Sequence, residues 1–300
     1  MNNYNQLPSQ EIKTDNRIIS VFLKDSSNID HKVVKSFGEE WEKFYDFSDE
    51  DIKAIGDEYF DIIPEGVINN NTYVLDVGCG TGRWTKYLQS KVKFIEAIDP
   101  SNAIFYADKL LNDVSNVRLS KAPADNIPFE DETFDLGMSI GVLHHIPDTQ
   151  KAMTDCVKKV KIGGYFYTYL YYDFENRGLL FKSIFLFSSI LRKTVCLLPS
   201  SIKKIICDLI AIILYLPFVF LGNILKNIGF TSLAKKVPLS YYQDKSFFII
   251  RNDALDRFGT SLEQRFSREE VFKMMKASGL DNIIIADTEP CWHAIGKRIK

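Results

Sequence analysis

The chain has 300 residues, of which 46% are hydrophobic and 25% are charged, and its formal net charge is −2. This composition is typical of a globular protein that is long enough to bury a substantial core, and it excludes a disordered or fibrous chain. The near-neutral charge also argues against a general nucleic-acid-binding protein, which would carry a basic excess.

Two features of the sequence bear on the cellular compartment. The first residues contain no apolar segment behind a basic head, so we expect no secretory signal. The five cysteines are widely separated, without the paired spacing of metal ligands or the even count of a disulfide framework. We therefore expect a cytoplasmic protein with reduced, mostly buried thiols and no metal site.

The segment 1–70 is predicted to form a helical cap ahead of the first core strand. Its stretch "SFGEEWEKFYDFS" carries Phe37, Trp41, Phe44 and Tyr45 at helical spacing. This spacing is typical of a surface helix whose apolar side packs on a core.

A glycine-rich turn follows the first core strand in the stretch "YVLDVGCGTGRW". The run from Tyr73 to Val77 is apolar and β-rich without alternation, which predicts a buried parallel strand. Gly78, Gly80 and Gly82 then occupy every second position, and glycine allows the positive φ angles and the close ligand approach that such a turn needs. Amides at the start of the next helix favour a carboxylate or a phosphate. The spacing is tighter than the G-x-G-x-x-G of dinucleotide-binding folds.

Strands and helices alternate after this turn up to residue 172. "FIEAIDPSNAI" predicts a strand that ends at Asp99, with Ser101 as the cap of the next helix. "APADNIPF" is a loop that contains Asp125, and "FDLGMSIGVLHHIPD" predicts a strand whose following loop carries His144 and His145. Such alternation predicts an α/β fold with a mostly parallel sheet.

Residues 173–245 are predicted to form a separate helical insertion that is both basic and apolar. Eight basic residues and one acidic residue lie between Gly178 and Lys236, so this part carries a charge of about +7. "GLLFKSIFLFSSILRK" predicts a basic amphipathic helix, and residues 205–225 are apolar all round and just long enough to span a bilayer. A single crossing is excluded, however, because it would place the two halves of one sheet on opposite sides of a membrane.

Three interpretations of the insertion stay open at this point. The region 179–226 can contact a membrane peripherally, with its helices in the interface on anionic lipid. It can instead form a re-entrant hairpin bent at Pro217, or an apolar lid or dimer interface that needs no membrane. The oligomeric state is therefore not predicted.

Residues 246–300 are expected to complete the sheet. "SREEVFKMMKASGL" opens with a capping box, Ser267-x-x-Glu270, and closes at Gly279, so it predicts a delimited helix. "DNIIIADTEPCWHAIGKRI" predicts the two strands of a terminal hairpin. Polar and aromatic residues ahead of this helix indicate either an acceptor pocket for sugar-like hydroxyls or an internal salt-bridge network. These residues are Tyr241, Tyr242, Arg251, Asp253, Asp256 and Arg257.

With this acidic start, glycine spacing and order of elements, residues 71–172 and the terminal hairpin resemble the class I S-adenosylmethionine-dependent methyltransferases. The resemblance implies a Rossmann-like sheet of seven strands with an antiparallel terminal strand, S-adenosylmethionine as the cofactor, and an N-terminal segment that covers it. In this family Asp99 would accept the ribose hydroxyls and Asp125 would meet the adenine amino group. The residues implied to hold the cofactor are Asp76, Gly78, Gly80, Gly82, Asp99, Pro100, Asp125 and Asn126.

His144 and His145 are the candidate catalytic residues. They follow a strand at the carboxyl edge of the sheet, where the ligands of open α/β folds lie, and histidine can act as a general base toward an acceptor hydroxyl. Alternatively, one of them only packs or holds the loop. Methyl transfer from a sulfonium requires no metal.

We therefore predict transfer of a methyl group from S-adenosylmethionine to a hydroxyl of a sugar-like acceptor, either a free small molecule or one linked to a lipid. The segment around residues 237–266 also resembles bacterial methyltransferases of cell-surface polysaccharide and lipid-linked sugar synthesis. Such an enzyme would be cytoplasmic or peripheral on the inner face of the membrane. The alternatives are methylation of a prenylated quinone-like lipid or another small metabolite, and a regulatory protein that binds the cofactor without turnover.

Overall fold

The computed structural model describes residues 3–23, 27–41, 48–175, 178–287 and 292–300. The chain divides into two units, which are described separately. The first unit, Met1–Asp173 with Leu262–Lys300, contains the sheet, and the second, Phe174–Ser261, is helical.

The strands all lie in the first unit and form a single sheet. They are β1 (Gln10–Lys13), β2 (Ile18–Val21), β3 (Tyr73–Val77), β4 (Phe94–Ile98), β5 (Val117–Lys121), β6 (Phe134–Ile140), β7 (Val160–Tyr169), β8 (Leu280–Ile285) and β9 (His293–Arg298). Their order is β1-β2-β5-β4-β3-β6-β7-β9-β8. Strands β2 to β7 pair in parallel, whereas β9 is antiparallel to both of its neighbours. The predicted mostly parallel, Rossmann-like sheet with an antiparallel terminal strand is confirmed.

The helices are α1 (His31–Trp41), α2 (Asp49–Tyr59), α3 (Arg83–Leu88), α4 (Ile104–Leu110), α5 (Thr149–Lys159), α6 (Leu179–Val195), α7 (Ser200–Ile210), α8 (Leu216–Asn227), α9 (Thr231–Ala234), α10 (Phe247–Gly259) and α11 (Arg268–Ala277). Helices α6 to α10 belong to the second unit. The predicted capping box opens α11, where the Ser267 side chain accepts a hydrogen bond from the Glu270 amide and the Glu270 carboxylate accepts one from the Ser267 amide.

The N-terminal segment differs from the predicted helical cap, because a β-hairpin precedes its two helices. Strand β2 pairs with the edge strand β5, and the Phe22 amide donates to the Lys121 carbonyl at 2.8 Å. Ile19 and Phe22 are buried by this pairing. The short β-branched run thus extends the sheet by two strands beyond the predicted seven. Of the predicted aromatic helix face, the side chain of Trp41 and the residues Phe44 and Tyr45 lie outside the described residues.

Successive residues of β7 point to opposite sides of the sheet and contact helices on each. Phe166 belongs to the core cluster that includes Met153 of α5 and Met275 of α11. Tyr167 stacks on Phe60, just after α2, with ring centroids 5.3 Å apart. Both sides of the central strands are therefore covered, which explains why β3 is buried from Val74 to Val77 and mostly apolar, with Asp76 as the exception.

The helical unit contains one continuous helix from Ser201 to Asn227. Its middle turn, residues 211–215, is a π-helix immediately before Pro217. Proline lacks an amide hydrogen and its ring crowds the preceding turn, and a π-helical turn absorbs this mismatch without a break. The re-entrant hairpin bent at Pro217 is therefore wrong.

The boundary of the helical unit also differs from the predicted residue 245, because α10 packs against α7 within it. Asp208 of α7 forms an ion pair with Arg251 of α10. The polar stretch assigned by sequence to the C-terminal part therefore belongs to the helical unit as far as Ser261.

A buried ion pair joins two central strands of the sheet. Glu96 of β4 lies opposite Arg118 of β5, and the guanidinium makes two bonds to the carboxylate, at 2.7 and 2.8 Å. The Glu96 side chain is fully buried and that of Arg118 nearly so. Burial raises the pKa of the Glu96 carboxyl, and the Arg118 guanidinium opposes this shift.

Arg118→Met should therefore lower the free energy of unfolding by roughly 3–5 kcal/mol, because it leaves the buried Glu96 carboxyl without its charged partner, although the Tyr73 hydroxyl still donates to it. Urea unfolding followed by circular dichroism measures this loss. The double variant Glu96→Leu/Arg118→Met is the control and should recover most of the stability. A loss below about 1 kcal/mol in the single variant would show that the pair is not effectively buried.

Candidate active site

The glycine turn joins β3 to α3 and is held against the end of β4. Gly78, Gly80 and Gly82 all have positive φ angles, of 76°, 55° and 84°. The amides of Gly78 and Cys79 donate to the Ile98 carbonyl at 2.8 and 3.0 Å. The turn thus has the backbone that only glycine adopts easily, and it lies at the carboxyl edge of the parallel strands, where open α/β sheets bind ligands.

Asp76 carries a buried carboxylate oxygen directly before this turn. The residue is 1% exposed, and its Oδ2 accepts a bond of 2.6 Å from the Thr85 hydroxyl. Its Oδ1 is buried and has no hydrogen-bond partner among the described residues. Burial raises the pKa of Asp76 to about 7, and the nearby Asp99 carboxylate adds to this effect. An unsatisfied buried carboxylate oxygen fits a cationic ligand group such as an ammonium.

Asp99 at the end of β4 is oriented by the turn itself. Its Oδ2 accepts from the Gly80 amide at 3.0 Å, and its Oδ1 accepts from the amide and the hydroxyl of Ser101 at 2.7 and 2.6 Å. Burial raises the pKa of this carboxyl, while these hydrogen bonds oppose the shift. A carboxylate has about four acceptor positions, so Asp99 retains acceptor capacity for a ligand hydroxyl, and its contact with both ribose hydroxyls stays a prediction.

Asp125 and Asn126 contact the N-terminal segment. The Asn28 amide donates to Asp125 Oδ2 at 3.1 Å. The Asn126 side chain donates to the Phe22 carbonyl at 2.9 Å and accepts from Gln6 at 3.0 Å. Asn126 therefore fixes the N-terminal hairpin with both of its polar atoms, while a cofactor contact by either residue stays a prediction.

Pro100 lines a cavity of about 460 Å³ beside Asp99. Lys121, another lining residue, donates to Asn102 at 2.6 Å, and the Asp99 carboxylate acts on its pKa, which burial lowers. The cavity is therefore close to the site carboxylates. Its other lining residues are His31, Val34, Lys35, Gly38, Ser101, Asn102, Phe105, Tyr106 and Lys109.

The loop after β6 brings the two candidate histidines to the same edge of the sheet. His144 is fully buried, and its ring stacks on that of Tyr171 with centroids 3.9 Å apart. Neither ring nitrogen has a hydrogen-bond partner among the described residues. Burial holds the pKa of His144 well below its usual range, and His145 and Arg265 lower it further. His144 is therefore neutral and a weak base.

His145 has a different environment and holds the loop in place. Its Nδ1 lies 2.7 Å from the Leu262 carbonyl, and because a carbonyl only accepts, this nitrogen carries the proton. Its ring also packs edge-to-face against the ring of Phe37, with ring centroids 4.9 Å apart. These contacts favour the interpretation of His145 as a residue that anchors the loop.

Residues 262–266 complete this cluster, and the sequence analysis did not single them out. Glu263 and Arg265 form an ion pair of 2.7 Å with side chains 3% and 12% exposed. Glu263 Oε2 is buried without a hydrogen-bond partner in the described part of the chain. The Arg265 guanidinium lies 5.2 Å from the centre of the Tyr171 ring, and the Gln264 amide donates to the His144 carbonyl at 3.0 Å. The polar run "LEQRF" after the predicted insertion was the available signal.

The polar residues proposed from sequence as an acceptor pocket instead form a network inside the helical unit. Asp253 accepts from the Tyr215 hydroxyl at 3.0 Å and pairs with Arg257 at 2.8 Å. Arg257 also donates to the Tyr242 hydroxyl at 3.3 Å. The side chain of Asp256 lies outside the described residues. These contacts favour the salt-bridge alternative.

The turn is locked by a contact that a single methyl group would disrupt, since a Cβ built on Gly78 overlaps the Val142 side chain. Gly78→Ala should destabilise the protein by the backbone strain at positive φ, about 1–2 kcal/mol, plus roughly 1–3 kcal/mol of overpacking. Gly66→Ala is a matched control, because Gly66 has a φ of 82° and open space around it. Urea unfolding of Gly78→Ala, Val142→Ala and the double variant should give a compensating coupling of about 1 kcal/mol or more. Equal losses in the Gly66 and Gly78 variants would contradict the contact.

Comparison with known proteins agrees with this geometry. Residues 75–168 match the family model described as a methyltransferase domain. Over 103 residues, 30% of the chain, the sequence is 34% identical to a demethylmenaquinone methyltransferase of Geobacillus sp. (strain WCH70), of which it covers 41%. It is 32% identical over 107 residues to the sterol 4-C-methyltransferase strm-1 of Caenorhabditis elegans, and the match covers 34% of the chain and 32% of that protein.

A crystal structure of an S-adenosylmethionine-dependent methyltransferase from Thermotoga maritima is similar at 15% identity and a TM-score of 0.46, covering 87% of this chain and 94% of the other. The chain spans less than half the length of these two curated relatives. The match of the family model falls on the segment that contains the glycine turn, both site carboxylates and the histidine loop. Residues 75–168 are thus similar to a methyltransferase domain.

Proposed function

We propose that the whole chain transfers a methyl group from S-adenosylmethionine to a hydroxyl of a sugar-like, lipid-linked acceptor. The observation that carries the proposal is the unpartnered, buried Oδ1 of Asp76 beside the glycine turn. Among the groups of this cofactor, the α-ammonium has the charge and the donors that this oxygen lacks.

Each residue that would hold the cofactor would bind a different group of it. Asp76 would pair with the ammonium, and Asp99 would accept one ribose hydroxyl at its remaining acceptor position. Asp125 would accept from the adenine amino group, and Pro100 would pack on the adenosine beside the cavity that it lines. When bound, S-adenosylmethionine supplies a methyl group on a positively charged sulfur, which keeps the electron pair of the broken carbon–sulfur bond.

The acceptor side would use the cluster around His144. Its low pKa makes His144 a poor proton acceptor at neutral pH, but a neutral imidazole nitrogen can accept a hydrogen bond and orient a hydroxyl. The Glu263 carboxylate, with one buried oxygen unpartnered in the described part of the chain, would take the proton that the hydroxyl loses on methylation. Arg265 would position Glu263 through their ion pair.

The acceptor class is inferred from the side chains of this cluster and from the insertion. Residues 263–265 supply a carboxylate, an amide and a guanidinium group, and Tyr171 supplies an aromatic ring. The polar groups can bind several hydroxyls of a sugar ring, and the aromatic ring can pack on its apolar face. The basic, apolar helical unit supports an acceptor that is held at a membrane.

A prenylated quinone-like lipid is the second candidate acceptor. The likeness to demethylmenaquinone methyltransferases, at 34% identity over 103 residues, favours it. The apolar helical unit is equally suited to a prenyl chain.

Methyl-labelled S-adenosylmethionine, mixed with the purified protein and separate extracts of membrane lipid and soluble sugar nucleotides, tests the proposal. We expect label in a lipid with a polar, acid-releasable head group. Label in a prenylated quinone would support the second candidate, and label only in the soluble pool would refute the lipid linkage. Cofactor binding without label in any extract would indicate a regulatory protein.

With the labelled acceptor in hand, Glu263→Gln should lower kcat by about 10²- to 10⁴-fold, the range expected for loss of a general base. Cofactor affinity should not change. Glu269→Gln is the matched control, because Glu269 is an exposed carboxylate on α11 that pairs with Lys273. An unchanged kcat in Glu263→Gln would remove Glu263 from the proposed mechanism.

Cofactor affinity should also depend on pH through Asp76. Since its pKa is raised to about 7 in the free protein, the carboxyl is mostly protonated at lower pH, and binding of an ammonium then requires loss of that proton. Affinity measured by titration calorimetry should rise with pH by up to tenfold per unit below about pH 7 and level off above it. Asp76→Asn should bind weakly with a flat profile, whereas Asp113→Asn on the surface should behave as wild type. A flat profile in the wild type would refute the ammonium contact.

A further inference from the structure

The helical unit exposes apolar side chains on the outward side of its longest helix. The most apolar 18-residue window of the helix Ser201–Asn227 has a mean hydropathy of 2.5, yet only 33% of this window is buried. The most exposed large side chains include Ile205, Ile213 and Phe220, which are 61%, 64% and 67% exposed. The apolar face is defined here as Ile202, Ile205, Leu209, Ile213, Phe220 and Ile224.

The opposite side of the same helix carries its polar contacts. Cys207, Ala211, Tyr215 and Val219 recur every four residues and are buried. On this side Asp208 pairs with Arg251, and Tyr215 donates to Asp253 of α10. This arrangement inverts the usual surface helix, which turns its apolar stripe to the core and its charges outward. An apolar stripe of this length on the outside marks an interaction surface.

The unit that carries the apolar face is strongly basic. The helical unit contains twelve basic and five acidic residues, a net charge of +7, although the whole chain carries −2. Lys193, Lys235 and Lys236 are exposed, ahead of and beyond the long helix. An apolar stripe between lysines complements a surface of apolar chains beneath anionic head groups.

We propose that the apolar face binds an anionic phospholipid bilayer, with the long helix lying in the plane of the interface. The helix has 27 residues and would reach across about 40 Å of the membrane surface. It does not cross the bilayer. The strands β7 and β9, which precede and follow the helical unit, pair in one sheet, so the chain must return to the side that it left, and the described residues contain no second helix long and apolar enough to cross. This proposal holds whichever acceptor is methylated.

A second copy of the chain fits the same face less well. A symmetric dimer through this face would bring two units of +7 charge together, and like charges across an interface are unfavourable. No acidic stripe among the described residues of the unit lies beside the apolar face to offset this repulsion. A bilayer that contains anionic lipid supplies both the apolar phase and the opposite charge.

Sedimentation of the full-length protein with large unilamellar vesicles tests this proposal. We expect binding to phosphatidylcholine vesicles that contain about 30% phosphatidylglycerol, with weaker binding to phosphatidylcholine alone and at high salt. The variant Ile205→Gln/Ile213→Gln/Phe220→Gln should lose at least a hundredfold in partition coefficient, since each exposed side chain contributes roughly tenfold when buried in lipid. Lys235→Glu/Lys236→Glu should lose at least about thirtyfold, and only on anionic vesicles, since each basic residue near the surface contributes about 1 kcal/mol.

The matched control is Ile162→Gln, which changes an equally exposed isoleucine of the first unit and should bind vesicles as wild type does. All variants should bind S-adenosylmethionine with wild-type affinity, which separates membrane binding from the proposed methyl transfer. Vesicle binding that the triple variant retains would overturn the proposal. So would a wild-type dimer that ignores vesicles and becomes a monomer in the triple variant, since the face would then bind a second copy.

The orientation has its own test. Phe220→Trp places an indole on the apolar face, and lipids with a quencher at a shallow or a deep acyl position report its depth against the wild-type tryptophan signal. Stronger quenching by the shallow probe is expected for a helix in the interface. Stronger quenching by the deep probe would overturn the in-plane orientation.

Discussion

The buried Asp76 carboxylate is the constraint on which the site depends. It sits at the end of a central strand with one oxygen satisfied by Thr85 and the other without a partner in the described structure. An unsatisfied buried oxygen costs stability, and burial raises the pKa of this carboxyl to about 7, so below that pH a bound proton offsets part of the cost. The site is therefore built for a cation, and the glycine turn beside it leaves the space in which such a ligand can approach the backbone.

A chain of contacts links this turn to the acceptor side. Val142 occupies the space that a side chain at Gly78 would take, so the loop after β6 can close only on a glycine. Two residues further on, His144 stacks on Tyr171 and its carbonyl accepts from Gln264. The residues proposed to bind cofactor and acceptor thus lie at neighbouring strand ends of one sheet, and a rigid scaffold of this kind can supply the orientation that group transfer needs.

The core of this arrangement was predictable because its signals are local. Each of these signals predicts its local structure from a few neighbouring residues. They are the three glycines at alternate positions, the acid at a strand end and the serine–glutamate capping box. Other features depend on distant partners. The run before Phe22 becomes a strand only because β5 offers a free edge, and Asn126 is occupied because that hairpin covers it. Arg265, which pairs with Glu263, meets Tyr171 only after the chain has completed the whole helical unit. The polar run that contains them marks these residues as unusual, but it does not indicate which distant residue they contact.

The helical unit differs from the sheet in which side chains it buries and which it exposes. In water, every large apolar side chain left exposed forgoes roughly 1.5–3 kcal/mol of burial, and the long helix leaves many of them exposed while it turns Asp208 and Tyr215 inward. A helix that packed in a protein core would do the reverse. Charged groups are costly next to hydrocarbon, so internal pairing with Arg251 is the arrangement that suits a helix in contact with lipid. The π-helical turn before Pro217 preserves the continuity of that face, since a break there would divide the stripe into two short helices with unsatisfied ends.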